Sequence, residues 1–472
     1  MSQAAYRTEK DSMGEMKVPD WALWGASTQR AVENFPISGR GIPAEVVHAF
    51  GLLKAACAQV NKDLGKLEPT LANAIIDASN EVAQGKHDKH FVVDVYQTGS
   101  GTSSNMNANE VIANIVSQKA GKGIGSKEPA HPNDHVNMGQ SSNDTFPAAM
   151  HIAAAVAIKQ NLEPAALGLQ KVLDGQAKDW DQIVKIGRTH LMDATPIRVG
   201  QVFSGYASAV DMWLCNGAKR SFDEMRTNMP IGGTAVGTGI NTHVEFGQRV
   251  CGALSKSTGV NFEEAVNHPE SQSAKGSFVQ ASGNLKSSAV ALSKIANDIR
   301  WLGSGPRCGI FELSLPEIQP GSSIMPGKVN PVICESVIQV AARVIANDAA
   351  VTYGGFGGVG SIMELNVAMP LIADAIMDSI NLLANVSNVF VDKLLSDLVV
   401  NQQRCTDLID QSLMMVTSLA PKLGYDNAAK LAKQAFTENK TIRQLVQDQN
   451  LMEAKELDTL LDPGAMTRPG VD

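Results

Sequence analysis

The sequence has few aromatic residues, few cysteines for its length and no long apolar run. Aromatic residues make up 5% of the 472 residues, and the six cysteines form no CxxC pair. Scattered cysteines argue against a disulfide framework and against a zinc or iron–sulfur site, so we expect reduced thiols and no metal. The most apolar stretch, Ala148 to Ile158, is interrupted by His151. It is too short for a bilayer span of about 20 residues, so no membrane association is expected.

The chain also lacks an excess of positive charge. Its formal net charge is −8. Nucleic-acid binding needs a basic surface that releases counterions from phosphates, so no nucleic-acid partner is expected. Residues 1–17 lack the apolar core of a signal peptide, which predicts no export and a cytoplasmic location.

Helical periodicity is the clearest structural pattern, and it is strongest in the second half of the chain. One apolar set recurs at helical spacing: Leu285, Leu292, Ile295, Ile299 and Leu302. A second set follows Asn330, and a third helix is predicted from Glu364 to Leu395 with a bend at Pro370. Long helices with few strand-like alternations predict a mainly α fold with a central helix bundle.

Shifts in composition divide the chain into three predicted domains. These are a mixed, mostly helical N-terminal domain (residues 1–140), a central helix-bundle domain (residues 141–399) and a small C-terminal helical domain (residues 400–472).

Four small polar loops each precede an apolar periodic segment. They are Gly99–Asn105, Gln140–Asp144, Gly187–His190 and Gly321–Pro331. After the third loop, Thr195 and Pro196 are predicted to cap and begin a helix, and in the fourth, Asn330 is predicted to cap a helix that Pro331 begins. A helix N-terminus presents unpaired N–H groups and a partial positive charge, so four such ends suit a small dianion. For any one loop, a simple capping motif remains the alternative.

Two features of these loops bear on their chemistry. Arg188 and Lys328 are the formal cations within them. Gly321 and Gly327 delimit a segment that is predicted to be a mobile lid, with a plain surface turn as the alternative. The Gly99–Thr102 segment is not followed by Gly-Lys-Ser, which argues against a nucleotide site.

The loops and their surroundings resemble the class II fumarases of the aspartase/fumarase superfamily. The matching segments are KDSMGEMKVPDWALWGASTQRAVENF, TGSGTSSNMNANEV, HPNDHVN, QSSNDTFP, GRTHLMDATP, GGTAVGTGINTH and GSSIMPGKVNP. They span nearly the whole chain. Aspartases have glutamine at the position of His190 and alanine at the position of Gly327, so fumarases are favoured within the superfamily.

The resemblance implies a hydro-lyase that reversibly adds water to fumarate to give (S)-malate through an aci-carboxylate intermediate, without a cofactor. It also implies a homotetramer with a multi-helix core, in which three subunits share each active site. By motif match, Ser322 would be the base, and His190, oriented by Glu335, would act on the leaving-group side. The substrate-binding residues would be Ser100, Gly101, Thr102, Ser141, Ser142, Asn143, Thr189, Ser323, Lys328, Val329 and Asn330.

A second, non-catalytic dicarboxylate site is implied at one further segment. Its residues are His131, Pro132, Asn133 and Asp134. Glu128 and His135 depart from the family pattern, which predicts weakened anion binding there. His131 and His135 have the spacing of metal ligands, but Pro132 disfavours an ordinary helix and no third ligand is evident in the sequence.

Two other functions fit the same scaffold. An aspartate ammonia-lyase would release ammonia from aspartate, and His190 argues against it. A non-catalytic relative would bind fumarate without turning it over, because fold does not fix activity. That reading is disfavoured by the joint presence of Ser322, His190, Lys328 and Glu335.

Overall fold

The computed structural model of the chain describes residues 5–469. These residues are mostly helical and fall into two compact units, each assembled from three segments of the chain. The first unit comprises Met1–Pro164, Asn216–Ala289 and Val340–Asn385, and the second comprises Ala165–Cys215, Val290–Gln339 and Val386–Asp472. The predicted mainly α fold is confirmed, and the division into three consecutive domains stays a prediction.

Within residues 5–469 the strands form four two-stranded antiparallel sheets, β1–β2, β3–β4, β5–β8 and β6–β7. The strands are β1 (Tyr6–Asp11), β2 (Gly14–Pro19), β3 (Val184–Thr189), β4 (Met192–Arg198), β5 (Leu313–Ser314), β6 (Ser361–Ile362), β7 (Leu365–Asn366) and β8 (Val399–Val400). Three of these sheets are hairpins of neighbouring strands, and the fourth pairs β5 with the distant β8. Because each sheet has only two strands, the helices form most of the core.

The helices account for most of both units. They are α1 (Ala26–Asn34), α2 (Ala44–Asp63), α3 (Pro69–Ala83), α4 (Thr102–Lys119), α5 (Ser142–Ala157), α6 (Glu163–Asp179), α7 (Val199–Ala209), α8 (Asn216–Arg226), α9 (Phe246–Thr258), α10 (His268–Ser273), α11 (Gly276–Leu302), α12 (Val332–Gly355), α13 (Met369–Lys393), α14 (Gln402–Gln411), α15 (Ala420–Leu423), α16 (Tyr425–Glu438), α17 (Ile442–Asp448) and α18 (Ala454–Leu460).

The core of the first unit is built around α2, which packs against α3, α5 and α9. Phe50 of α2 and Phe146 of α5 are fully buried, with ring centroids 5.9 Å apart in an edge-to-face arrangement. Burying such large rings removes apolar surface from water and fixes the two helices against each other. The N-termini of α4 and α5, where the first two polar loops end, are thereby fixed to a rigid core.

In the second unit, the β3–β4 hairpin contacts α14 and the 3₁₀ turn at Leu413–Leu419. A small apolar cluster is formed mainly by side chains of that turn and of α16, α17 and α18. Its members are Ile409, Met415, Val416, Leu419, Ala428, Leu431, Ala435, Ile442, Leu445, Val446, Leu457 and Leu461.

The predicted apolar stripe of the longest helix is confirmed. Leu285, Leu292, Ile295 and Ile299 are buried in α11, and Leu302 at its last position is half-buried. The stripe therefore points into the protein along nearly its whole length, as a spacing of three and four residues requires.

The helix predicted from Glu364 to Leu395 with a bend at Pro370 was wrong at its start. Glu364 lies in the turn of the β6–β7 hairpin, and the helix α13 begins at Met369. Pro370 therefore occupies the first helical turn, where its missing N–H removes no helical hydrogen bond. Proline marks the start of this helix instead of an interior bend.

The residues Thr195 and Pro196 do not begin a helix, contrary to the prediction. They belong to β4, where Pro196 pairs with Ile186, and the next helix starts at Val199. Proline is tolerated in this strand because both strands of a two-stranded sheet are edge strands.

One stretch, Met369–Asp397, is long and apolar enough to cross a membrane by length and composition alone. However, 67% of its most apolar window is buried inside the protein. A core helix of a soluble protein passes the same test, so this is weak evidence for a membrane span.

Candidate active site

The first two polar loops meet through a chain of hydroxyl groups. Ser100 Oγ lies 2.8 Å from Thr102 Oγ1, which lies 2.7 Å from Ser142 Oγ. Gly101, between the first two, is the N-cap of α4 and has a left-handed φ of +71°. The structure thus brings together predicted substrate-binding residues that are 40 positions apart in the sequence.

The second loop is held in place by a buried carboxylate. Ser141 and Asp144 form a reciprocal capping box at the start of α5. The other oxygen of Asp144 accepts hydrogen bonds from the backbone N–H groups of Gly232 (3.2 Å) and Thr234 (2.9 Å). Burial raises the pKa of Asp144 to about 6. Asp144 therefore joins the second loop to the Gly232–Thr234 segment, which belongs to another of the fumarase-like blocks.

Asn143 is fastened to the same segment. Its side-chain amide donates to the carbonyl of Ala235 at 2.7 Å, and its side-chain oxygen lies 3.4 Å from Ser142 Oγ. Its orientation is therefore set by neighbours on both sides, as a binding residue requires.

The third segment is the tip of the β3–β4 hairpin and not an open loop before a helix. Thr189 pairs with Met192, so His190 and Leu191 form a two-residue turn. Their φ values of +59° and +61° match the type I′ turn, which fits the twist of the flanking strands. Thr189 and His190 are exposed at this tip.

Arg188 is not a free cation. Its guanidinium lies 3.0 Å and 3.1 Å from the two carboxylate oxygens of Glu312, which is 1% exposed. Lys185, on the same strand, lies 3.1 Å from this carboxylate, and burial lowers the pKa of Lys185. The three residues form a buried triad of two cations and one carboxylate that anchors β3, so the guanidinium of Arg188 is held inside the protein by Glu312.

Ser322 lies near the start of the fourth loop, where its hydroxyl oxygen faces backbone donors. Ser322 Oγ accepts hydrogen bonds from the N–H groups of Ile324 (3.2 Å) and Met325 (2.9 Å). The side chain is half-buried in a loop that is otherwise exposed. Two N–H groups directed at one oxygen stabilise negative charge on it.

The fourth loop is closed at its base by Asn330, which does not cap the following helix as predicted. Its amide donates to the carbonyl of Gly321 at 2.6 Å, and its oxygen accepts from Lys328 Nζ at 2.7 Å. A Cβ at Gly321 would lie 2.1 Å from the carbonyl oxygen of Lys328, so only glycine allows this closure. Ser323, Lys328 and Val329 are exposed. The helix α12 begins at Val332, with Pro331 just before it.

Glu335 lies in the first turn of α12 and is exposed. Among residues 5–469, no hydrogen bond or ion pair joins it to His190 within one chain. The predicted pairing of the two side chains is therefore untested.

The His131–Asp134 segment forms a single turn of π-helix with His131 as its cap. His131 Nδ1 accepts from the N–H groups of Asn133 (3.3 Å) and Asp134 (3.2 Å), and His135 Nδ1 accepts from the N–H of His131 at 2.9 Å. With Pro132, His131 and Asn133 line part of a cavity of about 350 Å³. Each histidine thus uses one ring nitrogen to hold the turn. In the part of the chain that the structure describes, no group of three or more His, Cys, Asp or Glu side chains is placed to hold a metal.

Comparison with known proteins decides the family. A family model described as Lyase matches residues 14–346, and one described as Fumarase C C-terminus matches residues 415–468. The fumarate hydratase class II of Corynebacterium efficiens is 50% identical, covering 99% of this chain and 97% of that protein. That of Mycobacterium tuberculosis is 51% identical, covering 98% and 97%.

The chain belongs to the class II fumarate hydratase family. Solved structures agree: a class II fumarase from Schistosoma mansoni superposes with a TM-score of 0.93 at 35% identity, covering 98% of this chain and 99% of that one. A fumarate lyase:delta crystallin from Brucella melitensis bound to cobalt gives 0.92 at 38%, covering 98% and 100%. The predicted family, superfamily fold and hydro-lyase class are confirmed. The class II fumarate hydratase family acts on dicarboxylate substrates.

Four buried charged residues in or near the polar loops were given no role from the sequence. They are Lys54, Asp144, Lys185 and Glu312. Lys54 could have been noticed, because it is a lone charge in the apolar run Leu52 to Cys57 of a periodic helix. The sequence spacing gave no comparable signal for Glu312, whose partners lie more than a hundred positions away.

Proposed function

We propose that the protein hydrates fumarate reversibly to (S)-malate with Ser322 as the base and His190 on the leaving-group side. Dehydration of malate removes a weakly acidic proton beside one carboxylate and expels hydroxide from the next carbon. Proton removal places extra negative charge on that carboxylate, as an aci-carboxylate. The site must therefore stabilise charge that develops only during the reaction.

The observation that carries the proposal is the turn at Ser322. A serine hydroxyl is too weak a base at neutral pH unless its alkoxide is stabilised. The N–H groups of Ile324 and Met325 point at Ser322 Oγ and supply that stabilisation from within the loop. Lys328, held by Asn330 in the same loop, adds a formal positive charge for the carboxylate that gains charge.

The opposite side of the reaction needs a group that can give or take a proton near neutral pH. Histidine is suited to this, and His190 stands exposed on a fixed hairpin tip. Glu335 would orient its ring, and it lies in the first turn of α12, where the helix dipole favours a carboxylate.

The substrate carboxylates would be bound by hydroxyl, amide and N–H donors of the polar loops. The residues are Ser100, Gly101, Thr102, Ser141, Ser142, Asn143, Thr189, Ser323, Lys328, Val329 and Asn330. The hydroxyl chain from Ser100 to Ser142 supports one wall of this site.

We further propose a cytoplasmic homotetramer in which three subunits share each active site. Large apolar side chains are exposed along the long helices in the single chain, which supports burial by other copies. They include Val290 (54% exposed), Trp301 (46%), Ile345 (43%), Tyr353 (66%) and Val389 (38%). Sharing by subunits would also let Glu335 of one copy reach His190 of another.

The segment His131–Asp134 is proposed as a second dicarboxylate site of lowered affinity. Two backbone donors already occupy Nδ1 of His131, so its Nε2 is the ring nitrogen that can face a ligand. Asp134, 3.3 Å from the ring, adds negative charge that opposes an anion.

The test follows fumarate by its ultraviolet absorbance in the presence of a chelator. Wild type, Ser322→Ala and His190→Asn are each supplied with fumarate or malate. We expect wild type to interconvert the two and each variant to lose about a hundredfold or more of that rate. Ser323→Ala is the comparison variant: Ser323 is a proposed substrate-binding residue, so losing its hydroxyl should raise KM with kcat little changed, whereas losing Ser322 should lower kcat.

Three outcomes would contradict the proposal. Wild type that releases ammonia from aspartate but leaves malate unchanged would be an aspartase. Wild type that binds fumarate without turnover would be a binding protein. Full activity of Ser322→Ala would remove Ser322 from the role of base.

A further inference from the structure

A lysine is fully buried beneath the first two polar loops. Lys54 lies in the middle of α2 and is 0% exposed, with apolar neighbours Leu53 and Cys57 equally buried. Among residues 5–469, no carboxylate forms an ion pair with it. A buried ammonium in such surroundings is costly unless its protons are all bound, so its partners show what keeps it there.

All three protons of Lys54 are directed at side-chain amide oxygens. Nζ lies 2.8 Å from Asn105 Oδ1, 3.0 Å from Asn137 Oδ1 and 2.9 Å from Gln140 Oε1. Each of these oxygens can only accept, and a neutral amine has only two hydrogens to donate. The arrangement therefore requires the charged form, although burial lowers the pKa of Lys54 to about 8.

Two of the three partners belong to the two loops of the proposed substrate site, and the third, Asn137, donates to the carbonyl of Gln140 at 3.1 Å. Asn105 lies in the first turn of α4, directly after the hydroxyls of the first loop, and Gln140 begins the second loop. Asn105 Oδ1 also accepts from Thr145 Oγ1 at 3.0 Å, and Thr145 Oγ1 lies 2.8 Å from the carbonyl of Ser141. Lys54 thus contacts both loops through Asn105 and Gln140, and among the residues that the structure describes it does not contact the proposed substrate-binding residues themselves.

We propose that Lys54 is a positioning residue for dicarboxylate binding: its buried ammonium holds the first and second loops in register. The inference rests on the proposed function, because it assigns Lys54 to the site formed by Ser100, Thr102 and Ser142.

The test compares Lys54→Met with wild type in the full-length protein. Methionine has a similar length and keeps the apolar contacts while removing the charge and three donors. We expect KM for fumarate to rise about tenfold while kcat changes less than about threefold. The dissociation constant of succinate, measured by calorimetry as a dicarboxylate that cannot react, should rise by a similar factor.

Lys275→Met is the matched control. Lys275 is also buried, at 2% exposed, and its Nζ donates to the backbone carbonyls of Ser271 (2.7 Å) and Gln272 (2.9 Å) within its own segment. Losing it carries a comparable folding cost but leaves the three amides of the Lys54 site intact. We expect a similar drop in Tm with KM within about twofold of wild type.

A second variant covers the case in which Lys54→Met does not fold. Gln140→Met keeps the ammonium and removes its link to the second loop, and it should raise KM about threefold. Equal KM changes in Lys54→Met and Lys275→Met, or an unchanged KM in Lys54→Met or Gln140→Met, would overturn the inference alone. Wild type that does not turn over fumarate would overturn the proposed function, and the inference would fall with it.

Discussion

His151 should make the stability of this protein fall in mild acid. The side chain is 2% exposed in α5, its Nδ1 lies 2.8 Å from the carbonyl of Met225, and its ring packs edge-to-face on Phe278 at 4.6 Å. Burial, together with the charge of Lys275 and opposed in part by that hydrogen bond, lowers its pKa from 6.5 to about 4. The neutral ring is therefore the form that the folded protein accepts.

The pH dependence of the unfolding free energy follows from the difference in proton binding at His151 between the folded protein and the unfolded chain. Between pH 6.5 and about 4 the unfolded chain binds a proton at His151 that the folded protein does not, so the unfolding free energy falls as pH falls. The gap between the two pKa values corresponds to about 3 kcal/mol in total. Of this, about 2 kcal/mol is lost between about pH 7 and pH 5.

The comparison of wild type with His151→Asn isolates this contribution. Asparagine keeps a donor for the Met225 carbonyl and does not titrate, whereas the lost ring contact lowers stability equally at every pH. Asp144, with a pKa raised to about 6, acts with the opposite sign in the same pH range, but it is present in both proteins and cancels in the difference.

Urea denaturation of each protein at about pH 7 and at about pH 5 gives its unfolding free energy at both pH values. The change in unfolding free energy between these two pH values is then compared for wild type and His151→Asn. Wild type should lose about 2 kcal/mol more than His151→Asn over this range. Parallel losses in the two proteins would refute the reasoning, because they would mean that His151 is protonated as readily in the folded protein as in the unfolded chain.

Two further substitutions test the framework of the site. Gly101→Ala forces a non-glycine residue into a left-handed conformation and places a Cβ 2.1 Å from the ring of Phe146, so it should lower the unfolding free energy by about 2 kcal/mol or more and raise KM. An unchanged Tm would contradict the close approach of Gly101 to Phe146. Glu312→Gln leaves Lys185 and Arg188 buried without a countercharge, so it should lower the unfolding free energy, measured by urea denaturation, by about 3 to 5 kcal/mol. A decrease below about 1 kcal/mol would mean that the triad is open to solvent.

The helices could be predicted from the sequence where burial dictates a periodic pattern. The apolar stripe of α11 is repeated over many turns, so each buried position supports the same assignment. The starts of α4 and α5 were also predictable, because the N-caps Gly101 and Ser141 are of residue types that favour this position and directly precede apolar helical segments.

Predictions made from local residue types were wrong where a tertiary contact determines the conformation. Thr195 and Pro196 have the composition of a helix start, but pairing with β3 draws them into a strand. Asn330 has the composition of a cap, but its side chain closes the fourth loop on Gly321. Both sites are governed by partners several residues away, and local propensity carries no information about those partners.

The charges of the polar loops bear on how a protein with a net charge of −8 would bind a dianion at the proposed site. Arg188 shares Glu312 with Lys185, and Lys54 is enclosed by amide oxygens. Lys328 is the cation that stands exposed in the polar loops. The helix N-termini after Gly101 and Ser141 add positive potential through N–H groups that are fixed by packing. Fixed dipoles of this kind need no reorganisation when charge develops, which suits a reaction whose intermediate carries more negative charge than its substrate.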